Sequence, residues 1–377
     1  MTLREKYKVK QVINASGKMT ILGVSRVSDI VAAAQKEAGQ SFFEMSDLTE
    51  KLSYHIAKLL GTENATIVSS ASAGIALSVC AIIGQGSMYH VYHPYTTNIK
   101  KREIILPKGH NVNFGTGVEI MVNLGGGKVV EAGWANECSL EQVEMEINEN
   151  TAALLYIKSH HSVQKSMLTV SQMAEVAYKH NLPLIVDAAA EEDLIKYYND
   201  GADLIIYSGA KAIVAPSSGM VIGKDKYIKW IQLQGKGIGR SMKIGKENMI
   251  GLVVALEEYL VNGLETKESQ ESRLLPFISK LSAIHGIEAN EVKDDAGREI
   301  YRASVKITFS NISGKDVVKQ LESGDPAIYT RNYQANNGII EFDIRSVNED
   351  EMDIIVKRMQ EIMDYFSHSL SIYIKSK

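Results

Sequence analysis

Cysteine is scarce in this chain of 377 residues: Cys80 and Cys138 are the only two. That excludes a disulfide framework and leads us to expect reduced thiols in a cytoplasmic protein. No apolar run is long enough to cross a bilayer, and the opening stretch, MTLREKYKVKQ, is too charged for a secretion signal. Excess positive charge is also missing. The formal net charge is −4, so composition offers no electrostatic footprint for nucleic acid or an anionic membrane. Internal repeats and low-complexity tracts are absent too. What remains is ordinary globular composition, with enough length for a major and a minor domain.

Five short runs are almost wholly apolar: 65–70, 102–107, 151–158, 182–190 and 202–209. Their length and polarity fit strands covered on both faces, as in a parallel sheet. Helical patterns lie between them. In 47–61, Leu48, Leu52, Ile56 and Leu59 recur at helical spacing and Gly61 closes the run. In 169–181, Thr169 or Ser171 is available as an N-cap. The alternation predicts an α/β doubly wound domain over residues 45–262. Beyond the helical pattern at 248–260 the character changes. A strand at 301–309, a helix at 314–323, a hairpin turning at Asn336-Asn337-Gly338 and a final amphipathic helix predict a small α+β domain over 263–377. Residues 1–44 are expected to form an arm that joins it.

The stretch SGAKAIVAPSSGMVIG, residues 208–223, puts Lys211 just past an apolar strand. A lysine there loses hydration, which disfavours its ammonium and makes the amine a better nucleophile. The plain alternative is a strand-end lysine whose head reaches water. Four further features fall at carboxyl ends of predicted strands, where ligands collect in open α/β sheets. Residues 69–74, SSASAG, open a helix, so the first-turn N–H groups and the hydroxyls of Ser70 and Ser72 could hold a phosphate. Asp187 ends LPLIVD and could pair with a protonated ring nitrogen, or simply cap the next helix. Ser208 precedes Lys211 by three. His110 could stack on a flat ring or move protons, or lie in a solvent-exposed loop.

The order of these features is that of the fold-type-I pyridoxal-phosphate enzymes, and residues 208–223 resemble their Schiff-base segment. More narrowly, VINASGKMTILG (12–23), IVSSASAGIAL (67–77), RSMKIGKENMIGLVVALEEYL (240–260) and PAIYTRNYQANNGIIEFDIRSVNEDEM (326–352) resemble the selenocysteine synthase branch. Two departures stand out. The branch's additional N-terminal domain for tRNA has no counterpart, and Ala210 stands where an acidic residue commonly precedes the lysine. Both argue against action on an aminoacyl-tRNA. The shorter relatives that this chain resembles are ammonia-lyases of phosphorylated amino sugar acids.

The resemblance implies an aspartate aminotransferase-like fold, with a mostly parallel central sheet and a small α+β C-terminal domain. It implies a homodimer or larger homo-oligomer with pyridoxal 5'-phosphate as cofactor. Lys211 would hold the cofactor and act as base at Cα, and Asp187 would keep the ring nitrogen protonated. Ser70, Ala71, Ser72 and Ser208 would surround the phosphate. Arg345 would clamp the substrate carboxylate, with Arg331 as second candidate, and a bidentate guanidinium suits that task. Its alternative partner is the acidic run at 348–351. Lys236, Arg240, Lys243 and Lys246, in a glycine-rich loop at 234–248, could receive a substrate phosphate, the glycines letting the loop close. The implied reaction is loss of water and ammonia from a phosphorylated amino sugar acid, with His110 as candidate acid. A β-lyase or aldolase acting on a small amino acid is the competing enzyme reading. His90 and His93 have ligand-like spacing but no adjacent cysteine or carboxylate, so an aromatic-rich strand or interface is expected there and no metal. His160 and His161 follow a predicted strand at the same sheet edge, with no role assigned.

Overall fold

The computed structural model describes residues 2–263, 265–294, 299–310 and 312–375, the last eight by their backbone only. The chain forms two compact units: Arg26–Val261, and Met1–Ser25 together with Asn262–Lys377. The sequence reading set the corresponding boundaries at 44/45 and 262/263. Residues 26–44 therefore lie with the large unit, where Ser28 caps the helix Asp29–Gln40 and its hydroxyl donates to Glu258.

The large unit holds a seven-stranded sheet. Its order is Asn64–Val68, Gly219–Gly223, Leu204–Ser208, Leu184–Asp187, Thr151–Ile157, Glu103–Pro107 and Lys128–Ala132. Gly219–Gly223 is antiparallel to both its neighbours, and every other pairing is parallel. Apart from the edge strand Lys128–Ala132, the strands are buried on both faces, and alternate residues feed two cores. Leu154, Tyr156, Val186, Ile205 and Tyr207 enter one. Leu155, Ile157, Ile185, Leu204 and Ile206 enter the other. Each such aliphatic side chain taken fully out of water contributes about 1.5–3 kcal/mol.

The helix Ala71–Gly84 lies against the second face and is buried from Ala73 to Gly84, so it carries no polar stripe. Gly74 permits the close approach: a Cβ there would sit 2.8 Å from Ile206 Cγ2. The helices Met45–Leu60, Val170–Lys179 and Lys246–Asn262 contribute to the first face. Thr169, not Ser171, caps Val170–Lys179, through a capping box with Gln172. Gly61 ends Met45–Leu60 in the left-handed conformation, as its position predicts.

The small unit packs the helices Lys267–Ser282, Gly314–Ser323 and Glu349–Lys375 with a three-stranded antiparallel sheet, ordered Ile339–Phe342, Tyr301–Ile307, Ile287–Lys293. The expected hairpin is only partly there. Gly338 makes the turn with φ +75°, but Ala327–Thr330 pairs in parallel with Val12–Ala15, while Ile339–Phe342 pairs with Tyr301–Ile307. Among the described residues only the Arg331–Glu341 bridge links the two arms.

Candidate active site

The carboxyl ends of adjacent strands in the large unit bring the predicted residues to one edge. Asp187 ends its strand between Ile157 and Ile206, and Ser208 ends the next, opposite Gly219. Gly219 in turn lies opposite Val68, which leads into the 69–74 turn. A Cβ on Gly219 would sit 2.9 Å from Ser70 C and 3.0 Å from Ala71 N, so only glycine lets the strand lie this close to the turn. Ser70 caps the helix by accepting from the N–H of Ala73 at 3.0 Å. The N–H groups of Ala71 and Ser72 fall in the first turn, where no intrahelical acceptor exists.

Lys211 sits in a tight loop. The N–H of Gly209 donates to Ser218 O at 2.9 Å, and that of Ala215 to Gly209 O at 2.8 Å. Gly209 has no room for a side chain, since a Cβ would meet Ser218 Oγ at 2.3 Å. Val214 lies in the left-handed region with φ +58°, a strained conformation for a β-branched residue. Strain of this kind persists where the surroundings over-determine the backbone, and it clusters at functional sites.

Asp187 is buried, with 8% of its surface exposed. Burial pushes its carboxyl up to about 6, against the opposing pulls of the Lys211 charge and the Ala189 N–H, which donates to Oδ1 at 3.1 Å. The charge of Lys211 is thus felt by Asp187 without fully compensating it. His161 also feels Lys211: burial first, then that charge, hold its imidazole below the usual range. Its ring lies 3.9 Å from that of His160. The loop carrying both is anchored beneath by Ser162 Oγ and Gln164 Nε2, which donate to Ile157 O at 2.9 and 3.2 Å.

A family model described as L-seryl-tRNA selenium transferase, SelA, matches residues 12–361. The chain belongs to the SelA family. Over 359 residues it is 45% identical to the D-glucosaminate-6-phosphate ammonia lyase of Salmonella typhimurium, covering 95% of this chain and 96% of that protein. It is 32% identical over 360 residues to the 5'-C-glycyluridine monooxygenase-decarboxylase of a Streptomyces species, covering 94% and 90%. The solved structure of a D-glucosaminate-6-phosphate ammonia-lyase superposes with a TM-score of 0.92 at 44% identity, over 97% of this chain and 99% of that one. The aspartate aminotransferase of Thermus thermophilus shares the fold alone, with a TM-score of 0.51 at 13% identity over 96% and 94%. The SelA-family chain therefore has the fold-type-I architecture expected from its sequence.

Several expectations need correction. His110 does not lie in a solvent-exposed loop: it is 0% exposed. The N–H of Ile157 donates to its Nδ1 at 3.4 Å, so Nε2 carries the proton and donates to Val163 O at 3.0 Å. Its ring meets Tyr156 edge-on at 4.5 Å. Burial takes its pKa down to about 4, and it serves as a neutral tie between two loops.

Two glycines of the 234–248 loop are closely packed, while Gly235 meets nothing within 4 Å. A Cβ on Gly237 would strike Val91 O at 2.3 Å, and one on Gly239 would strike Gln234 O at 2.7 Å, so both glycines are packing requirements. Lys246 donates to Ser41 O and Gly39 O at the end of the helix Asp29–Gln40, which occupies it structurally. Lys236, Arg240 and Lys243 are exposed.

His90 is buried in the short helix Met88–Tyr92, where a strand or interface was expected, and His93 follows that helix. Among the described residues no group of histidine, cysteine or carboxylate side chains could hold a metal, and both cysteines are free thiols. No described helix is long and apolar enough to cross a membrane.

In the small unit Arg345 pairs with Asp343: Nε meets Oδ1 at 2.9 Å and Nη2 meets Oδ2 at 2.7 Å. Arg331 lies 3.4 Å from Glu341 and 5.1 Å over the Tyr333 ring. Asp343 went unremarked in the sequence although it stands two residues before Arg345, and that spacing was the available signal.

Proposed function

We propose that this protein is a pyridoxal-phosphate-dependent ammonia-lyase. Its substrate is D-glucosaminate 6-phosphate, which eliminates water, takes up water again and releases ammonia to give 2-keto-3-deoxygluconate 6-phosphate. The observation that carries this reading is the 45% identity to the Salmonella lyase over nearly the whole of both chains.

The site residues fit the cofactor. A buried carboxylate whose charge the protein leaves under-compensated matches a protonated pyridine nitrogen, and that residue is Asp187. A helix N-terminus against a side-chain-free Gly219 matches a phosphate, held by the N–H groups of Ala71 and Ser72 and the hydroxyls of Ser70, Ser72 and Ser208. Lys211 is the amine that takes the aldehyde. When bound, the group supplies an electron sink for the pair left at the substrate's C2.

The chain's own residues do the rest. Lys211 Nζ takes the proton from C2. Arg345 holds the carboxylate, with Arg331 as a second donor. Arg240 and Lys243 receive the phosphate. The hydroxyl on C3 leaves as water and needs a proton, assistance worth roughly 10²–10⁴ in rate. With His110 sealed in the core, that proton comes from Lys211 itself, which has just accepted one. The enamine that remains shifts a proton from nitrogen to C3, water adds at C2 and ammonia leaves, so one water is lost and one consumed. A cytoplasmic homo-oligomer, with no nucleic-acid or membrane partner, belongs to the same proposal.

Ammonia release assayed across phosphorylated and plain amino sugar acids tests it. Turnover of D-glucosaminate 6-phosphate well above the unphosphorylated acid and above small amino acids is expected. Preference for a small amino acid would favour the β-lyase or aldolase reading, and a purified protein that binds no pyridoxal phosphate would overturn the catalytic proposal.

A further inference from the structure

Four charged residues of the small unit form a chain of alternating sign. Arg302 Nη2 lies 2.6 Å from Asp294 Oδ1, and Arg302 Nε lies 3.3 Å from Asp343 Oδ2. Asp343 then holds Arg345 side-on through both carboxylate oxygens, at 2.9 and 2.7 Å. It also accepts the backbone N–H of Arg345 at 3.3 Å, so one carboxylate fixes both ends of that residue. The side chains of Asp294, Arg302 and Asp343 are at most 3% exposed, whereas that of Arg345 is 21% exposed.

The N-terminal segment closes the chain from another side. The backbone N–H of Asp343 donates to Ala15 O at 2.8 Å. Gly17, with φ +89°, lies so close that a Cβ there would sit 3.0 Å from Asp343 Oδ2. Asn14 braces this turn by donating to Gly17 O and accepting from Ser16.

Buried ion pairs seldom stabilise a fold more than apolar side chains of the same size would. A sealed row of charges that reaches a partly exposed guanidinium has a different use. The geometry points to Asp294, Arg302, Asp343 and Gly17 as positioning residues that hold Arg345 in one orientation for the substrate carboxylate. This rests on the reading above that Arg345 binds that carboxylate. A long side chain held at two points has lost its rotamer freedom before the ligand arrives, and its planar donors are set for a single approach.

The test is the ratio of competitive inhibition constants for gluconate 6-phosphate and its carboxamide, measured with the cofactor-loaded enzyme. A ratio is insensitive to any loss of active fraction, which a purely structural defect would cause. Arg345→Lys should collapse the preference for the carboxylate; if it does not, the clamp reading itself fails. Asp343→Asn should lower the preference about tenfold, with KM rising more than kcat falls, and Asp343→Glu should recover part of it. The double variant Asp294→Asn/Arg302→Met, which keeps the inner pair, should lower it several-fold, as should Gly17→Ala. If Arg345→Lys collapses the preference while the Asp343, Asp294/Arg302 and Gly17 variants all keep it, the positioning inference is wrong. Should Asp343→Asn fail to fold, the double variant and Gly17→Ala decide alone.

Discussion

Asp187 in the large unit and Asp343 in the small one are both sealed from water, at 8% and 1% exposure, yet their charges are balanced differently. For each, burial raises the pKa. At Asp343 the hydrogen bonds and charge of Arg345, with the charge of Arg302, outweigh burial and hold the carboxyl below its ordinary range. At Asp187 the charge of Lys211 and one backbone N–H do not, and it stays up at about 6. A buried carboxylate saturated by the protein's own guanidiniums is scaffold. One left short of positive charge fits the role proposed for Asp187, facing a cation that arrives from outside.

The first way to break this comparison is Lys211→Ala. It removes the charge felt by Asp187 together with the amine proposed to take the aldehyde. Activity should fall at least about 10³-fold, and the visible absorption of bound pyridoxal phosphate should vanish. Retained absorption would move the covalent role elsewhere.

The second is Asp343→Asn, followed by thermal or urea unfolding. It leaves Arg302 and Arg345 facing each other without their shared anion, and a loss of about 3–5 kcal/mol is expected. The parent's advantage is present above the ordinary aspartate pKa and disappears as pH falls through the depressed value in the folded protein.

The third, Asp187→Asn, carries the opposite sign. Without cofactor, the raised pKa makes the parent's stability fall as pH rises from about 4 to about 6, because the folded chain must give up a proton it prefers to keep. The asparagine variant escapes that loss. It should be more stable above pH 6 by on the order of 3 kcal/mol, with the gap closing below about pH 4. Activity should drop despite the gain, a conflict between stability and function often met at active sites.

The smallest effect concerns His110. His110→Gln should cost about 1–3 kcal/mol through its two lost backbone bonds and leave kcat within a few-fold. Since the folded parent refuses a proton until about pH 4 while the unfolded chain accepts one near 6.5, the parent loses stability as pH falls between them. The gap between parent and variant should therefore narrow in acid. A large loss of kcat with unchanged stability would return His110 to the chemistry.

Much of the large unit was legible because apolar runs of strand length have few other uses, and because Lys211, Asp187 and the 69–74 turn carry local signatures. Lys128–Ala132 escaped notice because it edges the sheet, and its half-exposed residues do not form an apolar run. Ile287–Lys293 escaped for the same reason. The hairpin was misread because Ala327–Thr330 finds its partner in Val12–Ala15, more than three hundred residues away, and nothing local announces such a pairing. His110 misled because position after a strand says nothing of what closes over a side chain. Val163 and Ile157, from a different loop and strand, do so here. Glycines in the 234–248 loop suggested motion, but Gly237 and Gly239 are packed closely against Val91 and Gln234.

The comparison between the two aspartates is tested most directly by calorimetric titration of pyridoxal phosphate into the cofactor-free parent and Asp187→Asn proteins at pH 7.5. If Asp187 waits for the ring's positive charge, the asparagine variant binds about 10–100-fold more weakly while being the more stable of the two when empty. Equal affinity in both proteins would contradict the account.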